Sequence, residues 1–279
     1  VPEYFRKVGL VILDGLRPDA VSPEYMPVLS RLLERGWQAP RASTVRPSIT
    51  IAALTSLATG VSPQQHEITD AGVRNLGRVS GLRPLPRELG RHGVRTSVIT
   101  APISGPGRWL AGALLRLGGA SHLLSPNASP AGMIERAAVR LADPRTREFV
   151  VSYINDTDIA GHAWGWMSPA YLHAAATIDS ALAQLEPLLD EPDTLILLTA
   201  DHGGGGVLPR DHDHPHPVND AIPIMLLGSR TIPSTTGGNP AHLLDLPPTI
   251  LHAFGAPIPG SYQGRVLHEG FTLELAEAV

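Results

Sequence analysis

The chain has 279 residues, 43% of them hydrophobic and 17% charged, the composition of a folded globule rather than of a disordered chain. That length suits one large α/β domain or two small ones. A net charge of −4 without any block of Lys or Arg argues against a nucleic-acid-binding surface, and the absence of cysteine excludes disulfides and thiolate metal ligands.

In chain order, apolar, β-rich runs at 8–13, 94–100, 148–154, 194–200 and 222–227 are predicted strands. They are apolar along their whole length, which is the signature of strands buried on both faces of a mainly parallel sheet. Helical patterns at 26–35, 51–58, 131–141, 170–188 and 246–254 lie between them. This alternation predicts an α/β sandwich with helices on both faces of the sheet. No internal repeat and no linker divides the chain, so a single catalytic domain over 1–279 is expected. The Gly-, Pro- and Ser-rich segment 101–130 reads as a small lid or a long connection. No apolar run approaches the roughly 20 residues that span a bilayer, so a soluble chain is expected. The N-terminal VPEYFRKVGLVILDG lacks the regions of a signal peptide, and Val1 leaves room for an upstream segment, so the compartment stays open.

The polar residues fall at the carboxyl ends of these strands. Asp14 ends the first (VILDG), Asp156 and Asp158 follow the third (YINDTD), and Asp201 and His202 end the fourth (LLTADHGG). Open α/β sheets bind ligands at that edge. Carboxylates gathered there repel one another, and bound cations are the natural remedy. Asp158 and His162 are four residues apart, one turn if the segment is helical, so both can face one ion. Adjacent Asp201 and His202 can diverge towards two ions, and RDHDHPHP at 210–217 adds His212, His214 and His216. A lone Asp after a strand is ordinarily a turn or cap residue; it is the joint placement that points to metal. Asp and His ligands without thiolates suit zinc first, then manganese or iron.

With these motifs in place, the sequence resembles the alkaline phosphatase superfamily, most closely its type I phosphodiesterase/nucleotide pyrophosphatase-like branch. The resemblance rests on VILDGLRPD (11–19), RPSITIAALTSLATGVSPQQHEI (46–68), YINDTDIAGHAWG (153–165), TADHGGGG (199–206) and DLPPTILHAFGAPIP (245–259). It implies a two-metal phosphoester hydrolase acting on phosphodiester or nucleotide pyrophosphate-like small molecules. Asp14, Thr50, Asp201 and His202 would hold one ion, and Asp158, His162 and a late histidine the other. Counting back from Pro223 makes that histidine His212, with His216 the second choice. In such proteins the nucleophile stands ten residues before the Gly of a Thr-Gly pair, which here is Thr50. The local sequence agrees, because Thr50 opens a helical run, where free N–H groups favour an alkoxide and a bound phosphate. Thr44 and Ser48 are the fallback hydroxyls. A covalent phospho-threonine is the expected intermediate.

The resemblance departs at one contact. Relatives carry a phosphate-binding Asn soon after the P-x-x-H-x-I segment, where this chain has Ala71; Asn75, Asn155 or the positive charge of Arg46 could substitute. Trp164 and Trp166 could flank an aromatic leaving group. The competing readings are a phosphomonoesterase on the same core and a metal-binding member without turnover.

Overall fold

The computed structural model describes residues 5–70, 72, 75–101, 115–124, 128–234 and 238–272. Their centre is a seven-stranded sheet built from β1 (Lys7–Leu13), β2 (Trp37–Gln38), β4 (Arg95–Thr100), β5 (Ser121–Leu124), β6 (Glu148–Ile154), β7 (Thr194–Thr199) and β8 (Ile224–Leu227), in the order β2-β8-β7-β1-β6-β4-β5. The pairs β7-β1, β1-β6, β6-β4 and β4-β5 are parallel; β8 and β2 add an antiparallel margin. A separate two-stranded sheet joins β3 (Ala42–Ser43) to β9 (Ala241–His242). The sheet is thus mainly parallel with helices packed on it, as the alternation of elements predicted.

Every residue of β1 and β7 is buried, which requires cover on both faces. The helix Pro130–Leu141 shows how one face is covered: it buries Met133, Ile134, Ala137 and Leu141, one stripe at helical spacing, and packs on β6, β1 and β4. Its start is fixed by Ser129, whose hydroxyl accepts from the N–H of Gly132 at 3.2 Å.

Four of the five predicted strands match to within a residue or so at each end, and the fifth begins at Ile224 rather than 222. The expected helix over 170–188 is two pieces, Pro169–Leu182 and a 3₁₀ stretch Ala183–Asp190 that contains Pro187. Proline has no N–H to donate and crowds the preceding turn, which accounts for the change. Within segment 101–130, Ser121–Leu124 is an edge strand, while residues 102–114 and 125–127, on which the expected lid falls, lie outside the described residues.

The two ends of the sheet treat their buried acids differently. At the amino end, Glu148 accepts from Ser97 Oγ at 2.7 Å, from Arg140 Nε at 2.8 Å and from Thr146 Oγ1 at 3.3 Å. Buried Asp179 accepts the N–H groups of Val28 and Leu29 at 2.9 and 2.8 Å, capping the helix Pro27–Leu33. Both carboxylates are satisfied on both oxygens. Those at the carboxyl end are not.

Candidate metal centre and nucleophile

β1, β6 and β7 lie side by side, so Asp14, Asp201 and the helix Asp156–Trp164 that follows β6 emerge together. Gly15 makes the turn after Asp14 with φ +68°, in the left-handed region, and a Cβ there would sit 3.2 Å from Asp158. The chain can therefore bring Asp158 against the end of β1.

The buried carboxylates of Asp201 and Asp14 are each half used. Asp201 Oδ1 accepts from the N–H of Gly15 at 3.2 Å and of His202 at 3.1 Å, while its Oδ2 has no hydrogen-bond partner. Asp14 Oδ2 accepts from the Tyr153 hydroxyl, while its Oδ1 has no hydrogen-bond partner. Asp158 Oδ1 is likewise buried and without one. An unsatisfied buried acceptor costs about 1–3 kcal/mol, more when charged, so three in one place call for a cation.

The histidines are oriented to complete such a site. A carbonyl only accepts, so the Nδ1–H of His202 donates to Gly203 O (2.8 Å), that of His162 to Arg210 O (3.0 Å) and that of His212 to Ser48 O (3.0 Å). Each Nε2 therefore faces the acids and, once deprotonated, can offer its lone pair to a cation, the arrangement typical of metal-bound imidazoles. His202 Nε2 lies 3.2 Å from Asp14 Oδ1 and 3.7 Å from Asp201 Oδ2. His162 Nε2 and His212 Nε2 lie 3.4 and 3.8 Å from Asp158 Oδ1. Two groups of three close ligand atoms result, Asp14–Asp158–His202 and Asp158–His162–His212, with Asp158 common to both. The sequence reading gave Asp158 to one ion alone.

Electrostatics describe the same strain. Burial, then the neighbouring Asp14, pushes the Asp201 carboxyl up to about 7. Burial opposes charge on His202, but Asp201 and Asp14 outweigh it and push the imidazole up to about 10. Burial also raises the Asp158 carboxyl. Without a cation, this cluster holds protons in its place.

Thr50 is the first residue of the helix Thr50–Thr59, and its Oγ1 lies 3.2 Å from His202 Nε2. The fallback hydroxyls are engaged elsewhere: Thr44 Oγ1 donates to the Asp201 carbonyl, and Ser48 Oγ lies 3.5 Å from the carbonyl of His212. His216 has another task, since its Nδ1 accepts the N–H of Val218 at 3.2 Å. His214 is exposed and pairs with Asp211 at 3.2 Å.

Two of the three substitutes for the phosphate-contacting Asn, Asn75 and Arg46, are also occupied. Asn75 Nδ2 donates to the Asp70 carbonyl at 2.6 Å, closing a local turn, and Ala71 lies outside the described residues. Asn155 precedes the helix Asp156–Trp164 without capping it through its side chain. Arg46 donates through Nε to Asp220 Oδ2 at 2.8 Å. Trp166 is buried, donates to the Gly15 carbonyl at 2.9 Å and packs 5.1 and 5.7 Å from the rings of His162 and His212, whereas Trp164 is 66% exposed. Trp166 therefore packs behind the candidate ligands His162 and His212.

Sequence reasoning missed Asn219, whose amide donates to the carbonyls of His212 and His214 at 3.1 and 2.8 Å and so shapes the histidine loop. Nothing in its local sequence marks it. A cleft of about 950 Å³ lined by Arg41, Arg46, Asp220 and His242 borders the segment leading to Thr50, but none of the candidate ligands lines it. Among the described residues, no helix is long and apolar enough to cross a membrane.

Comparison with known proteins agrees with this architecture. The profile of the type I phosphodiesterase / nucleotide pyrophosphatase family matches residues 8–80 and 119–239. A 2,3-bisphosphoglycerate-independent phosphoglycerate mutase from Rippkaea orientalis is 29% identical over 136 residues, 46% of this chain and 25% of the mutase. The chain thus spans about a quarter of the length of that curated relative. Among solved structures, an alkaline phosphatase superfamily protein from Vibrio parahaemolyticus superposes with a TM-score of 0.69 at 16% identity, over 95% of this chain and 70% of that one. The phosphonate monoester hydrolase SpPMH from Silicibacter pomeroyi gives 0.70 at 16% identity, over 94% and 75%.

Proposed function

The chain belongs to the type I phosphodiesterase / nucleotide pyrophosphatase family, within the alkaline phosphatase superfamily, and on that premise we propose that it hydrolyses small-molecule phosphoesters, diesters foremost, with Thr50 as nucleophile beside two divalent cations. The observation that carries this reading is the position of Thr50 Oγ1, at a helix start and 3.2 Å from His202 Nε2, beside three buried carboxylate oxygens without a hydrogen-bond partner. Asp14, Thr50, Asp201 and His202 would hold one ion, and Asp158, His162 and His212 the other. Zinc is the first choice from the donor set and manganese the second. When bound, such ions supply Lewis-acid stabilisation of charge on the phosphoryl, entering and leaving oxygens.

The chain supplies the rest. The free N–H groups of the first turn after Thr50 can donate to a phosphoryl oxygen bound at the helix start. The contact between His212 Nδ1 and the Ser48 carbonyl ties the segment bearing the nucleophile to the late ligand. Thr50 Oγ bonds to phosphorus as the bond to the leaving group breaks, the proton lost by Thr50 ends on the departing alcohol, and the phospho-threonine that forms keeps the remaining ester group. Water then cleaves that bond and Thr50 recovers a proton. The preference for diesters rests on Arg46: a monoester brings one more negative charge, and the guanidinium nearest to Thr50 in sequence is bound to Asp220.

The test is a panel of p-nitrophenyl phosphate, its bis ester and p-nitrophenyl phenylphosphonate, assayed with zinc or manganese in wild type and Thr50→Ala. The bis ester is expected to turn over faster than the monoester. Thr50→Ala is expected to lose turnover by at least about a thousandfold while keeping its metal. A faster monoester overturns the diester assignment, and an active Thr50→Ala protein removes the nucleophile.

A further inference from the structure

Tyr153 lies outside every group of candidate ligands, yet its hydroxyl donates to one of them. It sits on β6 opposite Ile12 of β1. Residues two apart in a strand share a face, so Tyr153 rises on the same side of the sheet as Asp14, one pleat below it. From there its hydroxyl reaches Asp14 Oδ2.

The remaining polar atoms of Asp14 show what this bond does. Its N–H donates to the Ile154 carbonyl at 2.8 Å, and its own carbonyl accepts from Thr157 Oγ1 at 2.6 Å. With Oδ2 bound by Tyr153, three of the four polar atoms are fixed. The fourth, Oδ1, is buried without a hydrogen-bond partner, 3.2 Å from His202 Nε2. A carboxylate turns readily about its terminal bond, and either oxygen could face the ion. Because the tyrosine holds one oxygen, only the other can.

We infer that Tyr153 is a positioning residue for the candidate metal centre: its hydroxyl selects the Asp14 oxygen presented to the cation and holds the carboxylate at the angle the cation needs. The inference rests on the two-metal reading of the site. It concerns cation affinity, which can be measured without turnover. Partners of this kind behind metal ligands are typically worth 10–100-fold in affinity.

The test compares Tyr153→Phe with Thr157→Val. Each removes one hydrogen bond to Asp14, the first from the carboxylate and the second from the backbone carbonyl. Zinc dissociation constants are measured by competition with a chromophoric chelator of known affinity, alongside melting of the metal-free proteins. Tyr153→Phe should weaken one of two zinc equivalents by 10–100-fold and leave the other within about threefold. Thr157→Val should lower the melting temperature with both equivalents retained. If the wild type takes up two zinc ions and Tyr153→Phe binds them as tightly, the role assigned to Tyr153 is wrong and the metal reading stands. Equal weakening in the two variants reduces the effect to general loosening of the β1 end and overturns the inference. A wild type that takes up no zinc removes the centre and the inference with it.

Discussion

His212 and His216 stand four residues apart in one loop, and the direction of a single ring nitrogen separates their tasks. His212 turns Nδ1 to the Ser48 carbonyl, which leaves Nε2 towards Asp158 and His162. His216 uses Nδ1 to receive the Val218 N–H at the start of the short helix Pro217–Asp220. His212→Ala is therefore expected to lose about one equivalent of zinc on dialysis against low free metal, measured by atomic absorption. His216→Ala should keep both and cost about 0.5–2 kcal/mol in a denaturant melt, the scale of a lost cap; the opposite pattern would exchange the two roles. Sequence spacing put His212 first and His216 second without giving either a geometry. Which nitrogen is free depends on a carbonyl 164 residues away, and no local pattern encodes that. Asp14, Asp158, His162, Asp201 and His202 were readable because each stands at or just after a strand end, where the alternation of elements itself sets its position. Tyr153 looked like one more residue of an apolar strand. Its hydroxyl matters only through the register with β1.

At the scale of elements, long periodic segments were legible and short ones were not. β2, β3 and β9 have two residues each, too few to show alternation, and they exist through pairing with distant chain. The helix Asp156–Trp164 was anticipated only as a turn joining Asp158 to His162. Its low amphipathicity follows from its setting, since one side carries the candidate ligands Asp158 and His162 and another packs on a tryptophan. Trp166 fits because Gly161 and Gly204 have no side chains: a Cβ on either would lie 2.6 or 2.1 Å from the indole. Gly161→Ala should therefore push the helix off Trp166 and carry Asp158 and His162 with it. We expect a loss of about 1–3 kcal/mol in stability, typical of overpacking, together with weaker zinc binding. Calorimetry and a chelator competition would check both, and an unchanged zinc affinity beside a lowered melting temperature would show that the wedge supports the fold alone.

For the molecule as a whole, the crowded acids at one sheet edge make stability depend on what neutralises them. In the metal-free protein Asp201 is pushed up to about 7 and His202 to about 10, against ordinary values near 4 and 6.5. Both groups bind protons more tightly folded than unfolded. The stability they contribute is full below their unfolded values and is lost as pH rises through their folded ones. His66, His212, His242 and His252 are shifted the other way, chiefly by burial, and have finished titrating in both states only above about pH 8. Between about pH 8 and 9, then, His202 dominates, and the chelated protein should lose stability as pH rises, by about 1.4 kcal/mol per pH unit at most. Zinc reverses the sign. Its ligands must be deprotonated, so binding displaces the His202 proton, and the affinity grows with pH over the same window. At a hundred times the dissociation constant, each bound ion adds about 2.7 kcal/mol. Melting curves at about pH 8 and 9 with chelator and with zinc should therefore diverge, the gap widening towards pH 9. A gap that narrows, or a chelated protein that melts higher at about pH 9 than at pH 8, would mean that protons and cations do not compete for this cluster. The strand ends would then have to be balanced in some other way.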